Sequence, residues 1–245
     1  MKKGFTLAEV LITLGIIGVV AAMTLPTLIQ QHQKQVYVNG IKKGISVASN
    51  MLAKIQADEG VSSLASTSIF TDGLCSVNYD FSTGTNRNGC EDFYGNPSVF
   101  ERIVPKYLKV VKTCVDDSCD IVYDYWGQFS SNGKYSLISS DHGQLSSASS
   151  VTWNQKLYGF YTSDGMIFYF IPARNAIKIA VDTNGIKGPN KHGRDLFYLA
   201  YCADKDGKMM PSSPNSDYAC GNELSSLKNY SPLYHLMQNG WKMDY

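Results

Sequence analysis

From Phe5 to Ile29 the chain is one apolar run carrying a single charge, Glu9. Roughly 20 such residues make a helix that crosses a bilayer. Beyond it the apolar positions become periodic. Ile41, Ile45, Ala48, Leu52 and Ile55 recur at four-three-four-three spacing, while Lys42, Lys43, Asn50 and Lys54 fall off that stripe. This predicts that the helix continues to about residue 57 with one face on an apolar partner, and Gly60 is a plausible stop. A helix of some 50 residues is about 75 Å long. A stripe of two heptads is short for a coiled coil, so its natural use is to cover a sheet.

Residues 58–97 are rich in Ser, Thr, Asn and Gly and read as irregular. A helical pattern then opens at Pro97-Ser98 and runs through Phe100, Val104, Leu108 and Val111, with Pro105 as an interruption. Ile121–Trp126 and Lys134–Ile138 have the β-branched and aromatic content of strands, and 139–150 reads as a serine-rich loop. The clearest local signal is a hairpin. Leu157–Thr162 and Met166–Ile171 flank Ser163-Asp164-Gly165, with Asp-Gly at the turn. Ile177–Val181 adds another strand. The predicted fold class is α+β, a long N-terminal helix packed on an antiparallel meander. The chain divides into residues 1–4, an apolar helix 5–29, its amphipathic continuation 30–57, and a globular head 58–245.

Composition adds three points. The 22 basic and 21 acidic side chains nearly balance, so there is no basic surface to attract a nucleic acid. Six cysteines, Cys75, Cys90, Cys114, Cys119, Cys202 and Cys220, all follow the apolar run. They form no CxxC pair, which argues against zinc, and an even count beyond an export segment favours disulfides in an oxidising compartment. The simplest of fifteen pairings is sequential, 75–90, 114–119 and 202–220. Finally, Lys2 and Lys3 precede the apolar run and place the N-terminus in the cytoplasm, with everything past residue 29 exported.

A secretory signal begins the same way, but Ala21-Ala22-Met23 is a poor cleavage site and a secretory signal has no use for Glu9. A carboxylate within an apolar span is costly and marks function by default. The basic leader ending in Gly4, followed by Phe5-Thr6-Leu7-Ala8-Glu9 and the apolar stretch through Pro26, resembles the type IV pilin and type II secretion pseudopilin family. The resemblance covers about 25 residues and is specific in its spacing. It implies a pilin-like head and cleavage after Gly4 by a prepilin peptidase, which then N-methylates Phe5. It also implies a structural subunit, not an enzyme, held by one span in the inner membrane and drawn by an assembly platform there into a filament of pilin or pseudopilin subunits. Glu9 then stands five residues after the cut. Cleavage removes Lys2 and Lys3, leaves 20 basic against 21 acidic side chains, and creates an ammonium at Phe5. A carboxylate and an ammonium offset each other's desolvation when close and hydrogen-bonded, and the resemblance favours a pair between neighbouring subunits. Gly18 and Ala22 give one helical face small enough for close approach of another helix. Pro26 lacks a donor and crowds the Ala22 carbonyl, so the helix is expected to kink or loosen there. In the family the segment between the matching glycine and proline partly melts in filaments.

One downstream segment carries other chemistry. Asp182-Thr183-Asn184-Gly185 through Asp195 combines hard oxygen ligands with glycines, as calcium loops do, but lacks EF-hand spacing. Calcium sites in some pseudopilins make Asp182, Asn184 and Asp195 the candidate ligands; the competing reading is a turn in which Asp and Asn bond their own backbone. No other cofactor is indicated. The four histidines are scattered, and no hydrolase, metalloprotease or phosphate-loop motif is present. The C-terminal aromatics, from Tyr198 and Tyr201 to Trp241 and Tyr245, suit an interface or a sheet core equally. Two further classes compete with a filament subunit: a monomeric signal-anchored adhesin or binding protein, and an anchored enzyme, which would need a deep pocket with convergent polar groups.

Overall fold

The computed structural model describes residues 4, 6–73, 79–80, 85–86, 97–115, 122–124, 127–129, 135–137, 142–144, 158–173, 176–202, 208–212 and 231–245. The first element, α1 (Leu7–Glu59), is one helix of 53 residues, about 80 Å long at 1.5 Å per residue. It continues through Pro26, whose missing donor removes a hydrogen bond without ending the helix. Gly60 closes it in the left-handed conformation (φ 65°), where glycine carries no Cβ penalty. Its amphipathic half buries Val38, Ile41, Gly44, Ala48, Met51, Leu52 and Ile55. That is the expected stripe, with Ile45 at its half-buried edge.

A short helix α2 (Ser68–Thr71) follows. Two minimal strands, β1 (Tyr79–Asp80) and β2 (Thr85–Asn86), pair with each other. Helix α3 (Pro97–Tyr107) includes Pro105 and buries Phe100 and Val104, with Leu108 just beyond its end. Here the expected helical pattern through Val111 is corrected. Val110 and Val111 begin strand β3 (Val110–Val115), and Val111 is 67% exposed. A β-branched pair loses rotamer freedom in a helix and fits a strand better, and β3 gains the neighbouring β8 as partner.

The main sheet has six strands in the order β12-β11-β10-β9-β8-β3, all antiparallel: β8 (Tyr158–Thr162), β9 (Ile167–Ala173), β10 (Ala176–Asp182), β11 (Leu196–Cys202) and β12 (Met209–Pro211) join β3. The predicted hairpin is β8–β9, with Gly165 at φ 84° in its turn and Thr162 N–H donating to the Met166 carbonyl. Side chains alternate between two buried layers. Phe168, Phe170, Ile177, Ile179, Val181, Phe197, Leu199 and Tyr201 join the layer against α1 and α3. Ile167, Tyr169, Ala180, Leu196 and Tyr198 line the opposite face, which is buried as well. Rings set the inner layer: Phe100 stacks on Tyr158 at 5.8 Å and Phe160 meets Phe170 edge-on at 5.4 Å. The chain ends in α4 (Pro232–Gln238), capped by Ser231 and placed beside β11.

Two strand expectations change. Segments within 121–126 and 134–138 do form β4 (Val122–Asp124) and β6 (Tyr135–Leu137), but not in the meander. β4 pairs with β7 (His142–Gln144), inside the expected loop, and β6 pairs with β5 (Gly127–Phe129), giving two separate two-stranded sheets. Strands β11 and β12 were not anticipated. β11 is buried along its whole length, so it shows no polar-apolar alternation to read. The fold is nevertheless the α+β, pilin-like arrangement of a long N-terminal helix with an antiparallel sheet.

Candidate functional site: the N-terminal helix

The apolar half of α1 packs on nothing among the described residues. Leu11, Leu14, Ile16, Ile17 and Val20 are all more than half exposed. Leu7 to Ile29 spans about 34 Å along the axis, enough for a hydrocarbon core of about 30 Å, and α1 is the one helix among the described residues long and apolar enough to cross a membrane. A Cβ added to Gly15 or Gly18 would meet nothing within 4 Å. Neither glycine therefore serves packing against the described residues of the subunit.

Helix α1 begins with a reciprocal cap. Thr6 is the N-cap in an extended conformation (φ −78°, ψ 152°). The Glu9 amide donates to Thr6 Oγ1 at 3.3 Å, and Glu9 Oε2 accepts from both the Thr6 amide and the Thr6 hydroxyl at 2.8 Å. Two backbone donors that a helix start leaves without partners are satisfied in this way. Lys2, Lys3 and Phe5 lie outside the described residues, while Gly4 is exposed. The Thr6 partner of Glu9 was not anticipated, although Thr6-Leu7-Ala8-Glu9 has the S/T-x-x-E spacing of a capping box.

The Asp182–Asp195 segment leaves β10 and returns into β11. Both carboxylates are buried. Asp182 Oδ1 accepts from the amides of Asn184 (3.1 Å) and Gly185 (2.9 Å), and Asp195 accepts from those of Asn190 (2.8 Å) and Lys191 (2.7 Å). Burial raises the Asp195 pKa against the lowering effect of these backbone donors. Asn184 Nδ2 reaches the Gly188 carbonyl. These are the bonds of the turn reading, and among the described residues no three His, Cys, Asp or Glu side chains gather as a metal set. His192, in the same segment, is buried edge-on against Tyr198 at 5.1 Å, and burial lowers its pKa to about 3. Of the cysteines, Cys114 and Cys202 are described and neither is a free thiol. Cys75, Cys90, Cys119 and Cys220 lie outside the described residues, so the sequential pairing is not described.

Tyr198 and Tyr201 belong to the sheet core. The Tyr201 hydroxyl is 2.7 Å from Ser49 Oγ, tying β11 to α1, and burial pushes its pKa up to about 12. No curated protein and no solved structure matches the chain. What does match is a family model for the prokaryotic N-terminal methylation motif, over residues 1–25: the chain carries the signal motif of type IV pilins and pseudopilins.

Proposed function

We propose that this protein is a structural subunit of a type IV pilus-like or type II secretion pseudopilus filament, cut after Gly4 by a prepilin peptidase and N-methylated at Phe5. One observation carries the reading: the methylation motif runs directly into a 53-residue helix whose first half is apolar and exposed all round. Such a surface is stable in lipid before assembly and against other helices after it. Gly18, open on all sides, admits a neighbouring helix closely, and Pro26 supplies a position where the helix can loosen as subunits pack. Glu9 pairs with the Phe5 ammonium of a neighbour and sets the register. The head, stiffened by disulfides among its six cysteines, faces the extracytoplasmic side. The partners are the peptidase, other pilin or pseudopilin subunits and the inner-membrane platform.

The test is mass spectrometry of the mature N-terminal peptide from cells with and without a prepilin peptidase, joined to a Glu9→Ala variant. The expected results are a peptide beginning at methylated Phe5 only where the enzyme is present, and a variant that is exported and processed but forms no filaments. An intact Met1, or a cut beyond residue 20, overturns the processing. Normal filaments from Glu9→Ala overturn the register role.

A further inference from the structure

The cap at the start of α1 also decides which carbonyls stay out of the helix. The ladder bond of an α-helix runs from an N–H to the carbonyl four residues back. Carried toward the N-terminus, the ladder would have Glu9 N–H donate to the Phe5 carbonyl and Ala8 N–H to that of Gly4. Thr6 stops the series at its own carbonyl, which accepts from Val10 N–H at 3.2 Å. Its Oγ1 accepts the Glu9 amide at 3.3 Å in place of the Phe5 carbonyl, and Glu9 Oε2 holds the Thr6 amide and hydroxyl at 2.8 Å. Thr6 is accordingly extended (ψ 152°), and Gly4 is exposed and outside the helix. Glycine itself resists joining, since it is among the poorest helix formers. In an apolar surrounding the competition is sharp. An amide that loses its partner there finds no water, and adding a turn of helix is the nearest remedy.

Resting on the proposed cut after Gly4, the carbonyl at stake is the scissile one. Hydrolysis there adds the oxygen of a water molecule to the Gly4 carbonyl carbon and breaks its bond to the Phe5 nitrogen. Both protons of the water end on that nitrogen, leaving a carboxylate on Gly4 and an ammonium on Phe5. A carbonyl bonded to Ala8 N–H inside a helical turn must first be released, because proteolysis acts on the locally opened chain. We propose that Thr6 is a positioning residue for processing: by capping α1 together with Glu9, it keeps the Gly4 carbonyl out of the helix and open to the peptidase. The methylation motif, matched over residues 1–25, is the independent sign that a processing enzyme acts at this end of the chain. Thr6 acts through where the helix starts, not on the reacting atoms.

The full chain in detergent micelles, incubated with a purified prepilin peptidase, gives kcat and KM for the cut. Removing an N-cap oxygen shifts the helix-start equilibrium about fivefold. A substrate whose competent form is scarcer binds more weakly by that fraction, while its chemistry is untouched. Thr6→Val, of the same shape without the hydroxyl, should therefore raise KM about twofold to fivefold and leave kcat unchanged. In the same variant a 13C-labelled Gly4 carbonyl should move toward its helical chemical shift. Thr6→Ser restores the acceptor and should restore both readings. Equal KM for Thr6→Val and the parent chain overturns the inference. So does a loss in kcat alone, or a KM that Thr6→Ser fails to restore; either would make Thr6 a direct contact of the peptidase. A parent chain that the enzyme leaves whole overturns the processing reading itself, and this inference with it.

Discussion

Two glycines of α1 set how closely the spine approaches the sheet. A Cβ on Gly44 would stand 2.6 Å from Val181 Cγ1 and 3.1 Å from Met166 Cε; one on Gly40 would stand 2.7 Å from Thr183 Cβ. Optimal carbon contacts lie at about 3.5–4.0 Å, so Gly44→Ala must displace the helix or Val181 by roughly 1 Å. Overpacking of that kind costs about 1–3 kcal/mol. Alanine returns about 1 kcal/mol through helix propensity, leaving a net loss of about 0–2 kcal/mol, too small to interpret alone. A double-mutant cycle with Val181→Ala isolates the clash. Val181→Ala removes the offending methyl at a fully buried site and costs about 1–3 kcal/mol by itself. Together the two changes fit each other, because the new methyl fills space the valine gave up. The predicted coupling is about 1–2 kcal/mol in favour of the double variant, read from urea denaturation of the detergent-solubilised chain followed by near-UV circular dichroism. Additivity within about 0.5 kcal/mol, the behaviour of sites that do not touch, would refute the close-approach reasoning.

Two more outcomes follow from buried polar groups. Ser49→Ala strips the buried Tyr201 hydroxyl of its 2.7 Å partner and should cost about 1–3 kcal/mol, whereas Tyr201→Phe together with Ser49→Ala should recover most of it; equal losses in both variants would contradict this. His192 has a folded pKa of about 3, below the usual histidine value of 6.5, because burial disfavours its charged form. The unfolded chain therefore takes up the proton first. Stability is present above pH 6.5 and is lost as pH falls toward 3, by up to about 1.4 kcal/mol per unit. Asp195, with its pKa raised by burial, acts in the opposite sense, gaining stability as it protonates. His192→Phe keeps the ring against Tyr198 and should remove about 2 kcal/mol of acid sensitivity between pH 6.5 and 5. Unfolding midpoints of the two proteins that fall in parallel over that range would show that His192 is not the sensor.

The parts of the fold that the sequence made legible are those with one dry face. α1 announces its buried stripe because its other faces are exposed, and β8–β9 announces itself through Asp164-Gly165. β11 stayed silent because both of its faces are buried, which erases the alternation on which strand reading depends. The boundary of α3 was misplaced at Val111 because a helix-like apolar spacing of four, four and three residues continued past Tyr107 into a strand. The pattern could not reveal that the edge of β8 was waiting for a partner. Gly40 and Gly44 were equally silent. Their role depends on Thr183 and Val181, some 140 residues away in the chain.

The N-terminal site was legible for the opposite reason: its chemistry is local. Glu9 can be weighed as a costly charge in an apolar run from composition alone, and its capping role follows from the Thr6 spacing. The two roles are compatible in sequence. The proposed cut after Gly4 would spare Thr6, so the bonds from the Thr6 amide and hydroxyl to Glu9 would survive maturation. The new ammonium would belong to the residue immediately before that cap. A carboxylate already holding two donors keeps lone pairs for another, so capping the helix and accepting a neighbour's ammonium do not exclude each other. In the proposed precursor the cap would lessen the cost of carrying Glu9 into a membrane; after the proposed cleavage the other carboxylate oxygen, Oε1, which accepts no hydrogen bond from the described residues, would stand at the start of α1, where an incoming subunit's ammonium could reach it. A glutamate placed in mid-helix would have neither a cap nor that access, which gives a physical reason for its position at the third residue of α1.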